Sequence, residues 1–217
     1  SRIWVGTGEN VAGRHVGIGH GIYLSKDSGS TWDNMGLKKS EHISKIIVHP
    51  DNSDIIWVAS QGPLWNSGGD RGLFMTTDGG NTWSNKLYVN EWTGVTDIII
   101  DPTNPDILYA ATWQRHRNVA SLIDGGPGTS IYKSIDGGNT WNEIDSGLPS
   151  SNMGKIGLAI SPMKPEVIYA AIELDRRSGA VYRSDNSGGV WKKMSNTVAG
   201  ATGPHYYQEL YLSLIHI

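Results

Sequence analysis

The sequence predicts an all-β protein assembled from repeated four-stranded antiparallel units. Three observations support this fold class: an eight-residue turn pattern that occurs four times, a second, proline-containing turn that occurs three times, and an unusual composition. The chain has 28 Gly, nine Trp and nine Tyr but one Phe, a bias that fits short strands joined by many turns. The repeats are therefore the main guide to its organisation.

The eight-residue pattern, S/T-x-D-x-G-x-T-W, is called the repeat turn here. It occupies residues 25–32, 76–83 and 134–141, with a decayed copy at 184–191. The Asp can accept hydrogen bonds from nearby N–H groups, Gly can supply a positive φ, and the Trp can pack back under the loop. We therefore predict structural roles for Asp27, Trp32, Asp78, Trp83, Asp136, Trp141 and Trp191.

The spacing of the repeat turns predicts a β-propeller. They lie 51, 58 and 50 residues apart, close to the length of about 50 residues of a four-stranded blade. The chain then divides into an incomplete blade at 1–39, blades at 40–90, 91–148 and 149–200, and the start of another at 201–212. A closed propeller needs about 4–8 blades, so 1–212 is expected to be a partial propeller whose remaining blades are missing. We expect 213–217 to be a non-native tail.

Each complete blade follows one pattern of strands A to D. Hydrophobic alternation and turn signals predict strands at 43–49, 54–60, 73–77 and from Trp83; at 95–101, 107–112, 130–134 and 141–144; and at 155–161, 167–172, 180–184 and 191–194. The A–B turns repeat as HPDNSDIIW, DPTNPDILY and SPMKPEVIY. The first blade begins at a B strand over 2–6 and has a C strand at 22–24, and any signal peptide would lie upstream.

Composition excludes several functions. A formal charge of −3 and a pI near 6.1 give no basic footprint for nucleic acid. The chain has no cysteine, which excludes disulfides and thiolate chemistry, and no run of 18 apolar residues that could span a membrane. No cofactor is expected, and no metal site either: His15 with His20, or His116, lacks the spacing that ligands need.

Blade topology predicts which face carries function. The A–B turns and repeat turns share one face, while the long B–C loops at 8–21, 61–71, 113–129 and 173–179 share the other with the D–A loops. This second face is called the rim. Candidate ligand-binding residues on it are Trp65, Arg71, Trp92, Trp113, Arg115, Arg117 and Tyr206. The alternative is a solvated rim whose charges pair with one another.

Specific chemistries can be weighed on this rim. Glycosidases need two carboxyls about 5–9.5 Å apart, and Glu9, Asp70 and Asp124 are the weak catalytic candidates. A sialidase is disfavoured because Arg2-Ile3 is followed by Trp4 rather than by the proline of the sialidase motif. The adjacent Glu41 and His42 have no partner that the sequence identifies.

The repeat turn resembles the Asp-box, or BNR repeat, of β-propellers. With the segments 4–10, 61–72 and 113–127, the chain over 1–212 is similar to bacterial exported propellers labelled glycosyl-hydrolase-like or sortilin-N-terminal-like. The resemblance implies an extracellular, periplasmic or cell-envelope location. Xyloglucanase-type enzymes of this kind use two Asp between two propellers, and neither is matched here. Sortilin-type receptors bind peptides and carry a cysteine-rich module, for which this chain has no cysteine.

Two functional hypotheses follow. The first is a propeller that binds a glycan or peptide on the rim, which predicts carboxylates ion-paired with the rim arginines. The second is a xyloglucanase-like glycoside hydrolase, which predicts a carboxyl pair with one pKa raised by burial, beside Trp65, Trp92 and Trp113. A structural or assembly propeller with a protein partner is a third possibility.

Overall fold

A computed structural model describes residues 2–174, 178–198 and 209–212. This part of the chain contains sixteen strands and no helix, which confirms the all-β prediction. No helix long and apolar enough to cross a membrane occurs among these residues. The strands form four sheets in chain order, with antiparallel pairing between neighbours.

The four sheets are successive blades. The first contains β1 (Ile3–Gly6), β2 (Ile22–Ser25) and β3 (Asp33–Asn34), and the second β4 (Ile43–Val48), β5 (Ile56–Ser60), β6 (Gly72–Thr76) and β7 (Ser84–Leu87). The third contains β8 (Thr93–Ile100), β9 (Leu108–Arg117), β10 (Leu122–Asp124), β11 (Ile131–Ser134) and β12 (Asn142–Glu143). The fourth contains β13 (Ile156–Ile160), β14 (Ile168–Glu173), β15 (Ser178–Ser184) and β16 (Lys192–Val198).

The core lies between adjacent blades. Ile22, Ile43 and Phe74 pack between the first two blades, and Trp57 packs with Ile98 between the second and third. Between the third and fourth blades a larger cluster includes Tyr109, Ile131, Leu158, Ile172 and Trp191. Because a middle blade is covered on both faces, its central strands are buried along their whole length: every residue of β5 and β6 is buried, and most of them are apolar.

The predicted loop at 113–129 is partly wrong. Strand β9 continues through it to Arg117 and forms a hairpin with β10, pairing Arg115 with Asp124. Side chains of a strand point alternately to its two faces, and this alternation continues to the end of β9. Here the buried positions carry cations: Arg115 and Arg117 are buried, while Gln114 and His116 are partly exposed. Charged side chains favoured a loop in the sequence, but in the structure they have acceptors within the protein.

The repeat turns are built as the sequence predicts. In the second blade, the Asp78 carboxylate accepts hydrogen bonds from the Thr82 N–H (2.9 Å), the Thr82 hydroxyl (2.6 Å) and the Thr76 hydroxyl (2.7 Å). These bonds lower the pKa of Asp78 to about 2. Asp27 and Asp136 make the same bonds to Thr31 and Thr140.

The fourth turn keeps the backbone bond and the first hydroxyl bond, which the Ser184 hydroxyl donates to Asn186 at 2.9 Å, but it lacks the second hydroxyl bond. Asn186 stands in the Asp position and accepts from the Val190 N–H at 2.9 Å, and Val190 has no hydroxyl. The indoles also differ: Trp32 and Trp141 donate to Gly29 and Gly138 of their own loops. Trp83 and Trp191 instead donate to Met35 and Ile144 of the preceding blade. Only two of the four indoles therefore fold back onto their own turn.

The repeat turns and the A–B turns lie against each other, as blade topology requires. Gly79 donates to the Asp54 carbonyl, Gly137 to Asp106 and Ser187 to Glu166. On the opposite side the B–C and D–A loops interlock, with Gly68 donating to Glu91 and Asp70 to Lys39. The two faces are thus distinct.

Candidate functional site

A loop from the first blade crosses the rim and is held by cations from the third and fourth blades. This loop, residues 8–21, is called the strap. Lys155 donates to the Asn10 carbonyl (2.7 Å) and Arg115 to the Val11 carbonyl (2.8 Å). Arg117 donates twice to the Ala12 carbonyl, at 2.9 and 3.2 Å. Three consecutive strap carbonyls are therefore fixed by three positive side chains.

Arg71 performs a similar task within the second blade. Its guanidinium is 1% exposed and donates to five backbone carbonyl oxygens. These belong to Gln61 (2.6 Å), Gly68, Asn66 and Trp92 (each 3.2 Å), and Pro63. Four of these carbonyls belong to the 61–71 loop and one to Trp92 of the D–A loop. Arg71 therefore stabilises the conformation of both rim loops.

Burial destabilises the charge on these cations. It lowers the pKa of Arg71 to about 10 and that of Arg115 to about 9, and the two guanidiniums also repel each other. Burial lowers the pKa of Lys155 to about 8, with repulsion from Arg115 as a second cause. The hydrogen bonds of Arg71 and Arg115 go to carbonyl dipoles, while the carboxylate of Glu41 stabilises both charges and that of Asp124 stabilises the charge of Arg115.

The predicted ligand-binding aromatics separate into buried and exposed groups. Trp113 is 1% exposed, with the Arg115 guanidinium 5.1 Å and the Lys155 ammonium 5.7 Å from its ring centre. Trp92 is partly buried, with its ring centre 4.2 Å from that of His116. Trp65 is 38% exposed on the 61–71 loop. Tyr206 lies outside the described residues.

The three carboxyl candidates lie on three different loops or strands. Glu9 accepts from the Gly17 N–H within the strap at 2.9 Å. Asp70 accepts from the Lys39 N–H at 2.8 Å, while Asp124 lies opposite Arg115 in the β9–β10 hairpin. Glu9 and Asp70 therefore stabilise loop conformations.

The sequence reasoning missed Asp97, which joins three inner strands. Its carboxylate accepts from the Lys45 ammonium on β4 (2.6 Å), from the Leu158 N–H on β13 (2.7 Å) and from the Ile98 N–H (2.8 Å). Burial raises the pKa of Asp97, opposed by Lys45 and the backbone donors. An acidic residue inside an apolar strand was the available signal, because a buried charge requires a partner.

Asp97 also lines a small polar pocket under the strap. Its volume is about 130 Å³, and its lining includes Asn10, Lys45 and Thr96 from three blades. Glu209, Leu210 and Tyr211 lie on another wall. No group of three His, Asp or Glu side chains able to hold a metal ion occurs in the part of the chain that the structure describes.

A second, larger depression lies on the rim itself and is called the rim cleft. It has a volume of about 320 Å³ and is lined by Ile18, Gly19, His20, Lys38, Lys39, Glu41, Pro63, Ser67 and Gly69. Three loops form it: the strap, the connection before β4 and the 61–71 loop carrying Trp65. The cleft therefore combines apolar surface, hydrogen-bonding groups and charge, a mixture typical of ligand sites.

Glu41 is the carboxyl residue of the rim cleft. It adopts φ 54°, in the left-handed region that a glutamate rarely occupies, and its carbonyl accepts from the Gly19 N–H at 2.8 Å. Such backbone strain is common at functional sites. The carboxylate lies 4.0 Å from Nε2 of His42.

His42 follows Glu41 in the chain and has no exposed surface. Neither ring nitrogen has a hydrogen-bond partner among the described residues. Burial lowers the pKa of His42 to about 4, with repulsion from Arg115 as the next cause. His42 is therefore neutral at physiological pH.

The chain is similar in sequence to xyloglucanases. No protein-family model matches the chain. A xyloglucanase from Hypocrea jecorina is 26% identical over 204 residues, covering 80% of this chain and 23% of that protein. A xyloglucanase from Paenibacillus is 22% identical over 234 residues, covering 88% of this chain and 22% of that protein.

A solved structure is similar in fold. The GH74 xyloglucanase from Xanthomonas campestris superposes with a TM-score of 0.62 at 16% identity, over 89% of this chain and 28% of that chain. The chain thus has the fold of the propellers in glycoside hydrolases. It spans less than a quarter of the length of the two curated relatives.

Proposed function

We propose that this chain is part of a propeller protein that binds a glycan at the rim cleft. The observation that carries the proposal is the exposed indole of Trp65, on the loop that forms one wall of this cleft. The similarity to xyloglucanases, whose name states a glycan substrate, supports the same class of ligand.

The physical basis is the two-sided character of a sugar ring. Its C–H faces pack on aromatic and apolar surfaces such as Trp65, Ile18 and Pro63, while its hydroxyls need polar partners. Glu41 and Ser67 offer acceptors at the same cleft. Buried Arg71 fixes the carbonyls of the 61–71 loop, so the binding surface is organised before the ligand arrives.

Trp65→Ala tests this function, with Trp32→Ala as the matched control. The two indoles are exposed to 38% and 41%, but Trp32 lies in a repeat turn on the opposite face. Binding of xyloglucan oligosaccharides and a glycan array is measured for both variants. We expect Trp65→Ala to weaken binding about 5- to 100-fold, a loss of about 1–3 kcal/mol of aromatic contact, and Trp32→Ala to leave it unchanged. Equal binding by both variants would contradict the proposal.

Glycan hydrolysis is the second candidate function, favoured by the similarity to xyloglucanases. Glu41 and Asp70 lie at or beside the cleft and would supply the two carboxyls, with Glu9 and Asp124 further along the rim. We expect reducing sugar to be released from xyloglucan, and Glu41→Gln or Asp70→Asn to abolish release while binding persists. Binding without release by the parent protein would exclude hydrolysis.

The rim as a whole remains the proposed functional face, and a peptide is the competing ligand class. We also propose that the repeat turns are Asp-boxes, that the blades divide at 40, 91 and 149, and that further blades complete the propeller. Extracellular or cell-envelope location follows from the resemblance of the chain to exported propellers. Recovery of the native protein from the cytoplasmic fraction would contradict that location.

A further inference from the structure

The rim cleft has an excess of positive charge at its wall and floor. Lys38 and Lys39 both line it, and neither ammonium forms an ion pair within the described part of the chain. Beneath it, the guanidinium groups of Arg71 and Arg115 donate their hydrogen bonds to carbonyl oxygens, which are dipoles and carry no net charge. The positive potential of the buried guanidiniums therefore adds to that of the lysines.

The negative groups nearby compensate this charge only in part. Glu41 is the acidic residue of the cleft lining, and its carboxylate interacts with both buried guanidiniums. Asp70 uses one carboxylate oxygen to accept from the Lys39 N–H. Beneath the cleft, the Asp124 carboxylate also acts on the Arg115 guanidinium. Three carboxylates thus face two lysines and two arginines, and the cleft with its floor retains a net positive charge.

The lysine segment is held rigidly against the opposite wall. Lys39 and Asp70 exchange hydrogen bonds, since the Lys39 carbonyl accepts from the Asp70 N–H at 3.1 Å. Gly69 allows this approach: a Cβ there would lie 2.6 Å from both the Lys39 carbonyl oxygen and Pro63. The φ of Gly69 is 74°. The backbone that carries the ammonium groups is therefore pre-organised, while the side chains themselves stay free to reach a ligand.

We propose that the rim cleft selects an acidic saccharide, a sugar bearing a carboxylate such as a uronic acid. Lys38 and Lys39 bind the carboxylate, Glu41 accepts hydrogen bonds from ring hydroxyls, and Ile18 and Pro63 contact the C–H face. The inference rests on the proposed glycan-binding function and specifies the class of its ligand. The xyloglucanase relatives act, by name, on xyloglucan, so selection by charge would distinguish this chain from them.

The test compares a short oligogalacturonate with its methyl ester, two ligands that differ in charge but not in sugar or linkage. Calorimetric binding is measured on the full chain at low and at high ionic strength. We expect the free acid to bind about tenfold more tightly than the ester at low salt, because it can form exposed ion pairs with the two lysines that the ester cannot form. The preference should shrink at high salt, which screens exposed charges.

Lys38→Gln with Lys39→Gln should abolish this preference. Lys26→Gln is the matched control, since Lys26 is an exposed lysine in a repeat turn on the opposite face. Thermal melting checks that both variants are folded, and the backbone bonds of Lys39 are retained in each.

Three results would overturn the inference. If acid and ester bind equally while Trp65→Ala still weakens binding, the charge selection is wrong and the glycan-binding function stands. If the double lysine variant keeps the full preference, the cleft is not the site of selection. If no glycan binds, the proposed function fails and the inference fails with it.

Discussion

The ammonium of Lys155 donates a 2.7 Å hydrogen bond to the carbonyl oxygen of Asn10, joining residues 145 positions apart. This bond links the strap of the first blade to the fourth blade, and its acceptor residue, Asn10, also lines the polar pocket beside Asp97. Lys155 is 1% exposed, so its charge is kept inside the protein at an energetic cost. The position of the strap therefore depends in part on Lys155, a charged residue whose burial is energetically unfavourable.

Lys155→Met should change how stability depends on pH. The pKa of Lys155 is about 8 in the folded protein against 10.5 ordinarily, so the unfolded chain binds more protons between these values. The free energy of unfolding should therefore rise with pH across this window, by about 3 kcal/mol from this group. Urea unfolding at pH 7.5 and pH 10.5 should show that rise reduced in Lys155→Met but intact in Lys26→Met. Parallel pH profiles for the parent and Lys155→Met would contradict the assignment.

Asp97→Ala should be strongly destabilising. The substitution leaves the buried Leu158 N–H without its acceptor, at a cost of about 1–3 kcal/mol, whereas Lys45, whose side chain is 40% exposed, can be hydrated instead. Asp54→Ala is the control, because it breaks the Arg2–Asp54 pair (2.5 Å), whose side chains are 45% and 51% exposed. We expect a loss below about 1 kcal/mol for the control. Similar losses in denaturant melts would show that Asp97 does not join the inner strands.

His42 should make the protein sensitive to acid. Its pKa is about 4 when folded against 6.5 ordinarily, so the unfolded chain binds a proton more readily as the pH falls through this range. Stability should drop by about 3 kcal/mol between pH 6.5 and pH 4 because of this group. His42→Phe should flatten that part of the profile, whereas His15→Gln, at an exposed strap position, should not. An unchanged acid slope in His42→Phe would contradict the prediction.

The fourth repeat turn can be restored. Asn186→Asp with Val190→Thr would recreate the carboxylate–hydroxyl bond that Asp78 and Thr82 form at 2.6 Å. We expect the melting temperature at pH 7 to rise by about 2–4 °C, and the gain to be lost as the pH falls from 3.8 to about 2, the ordinary pKa of Asp and that of Asp78 in its turn. Val190→Thr alone provides the control, since its hydroxyl would face an amide. A gain equal to that of the single variant would show that the carboxylate adds nothing.

Repeated patterns made the fold predictable. The Asp, Gly and Thr of each repeat turn interact within eight residues, so their hydrogen bonds are encoded locally and were correctly anticipated. The alternation around Ile98 and Ile131 similarly predicted strands, because each buried face has period two. The strand at Trp113–Arg117 was missed, since its inward positions carry arginines whose acceptors, the carbonyls of Val11 and Ala12, lie over a hundred residues away.

Local turn chemistry and strand periodicity encode the all-β class, the succession of blades and the face on which each loop lies, so these features could be read from the sequence. Which rim residues are available to a ligand depends on how the blades pack. The sequence suggested four surface recognition residues that are in fact buried: Arg115, Arg117 and Trp113 near the strap, and Arg71 within the 61–71 loop. Burial depends on which distant segments cover a side chain, so the exposed Trp65 and the strained Glu41 could be distinguished from them only once the blades were packed together.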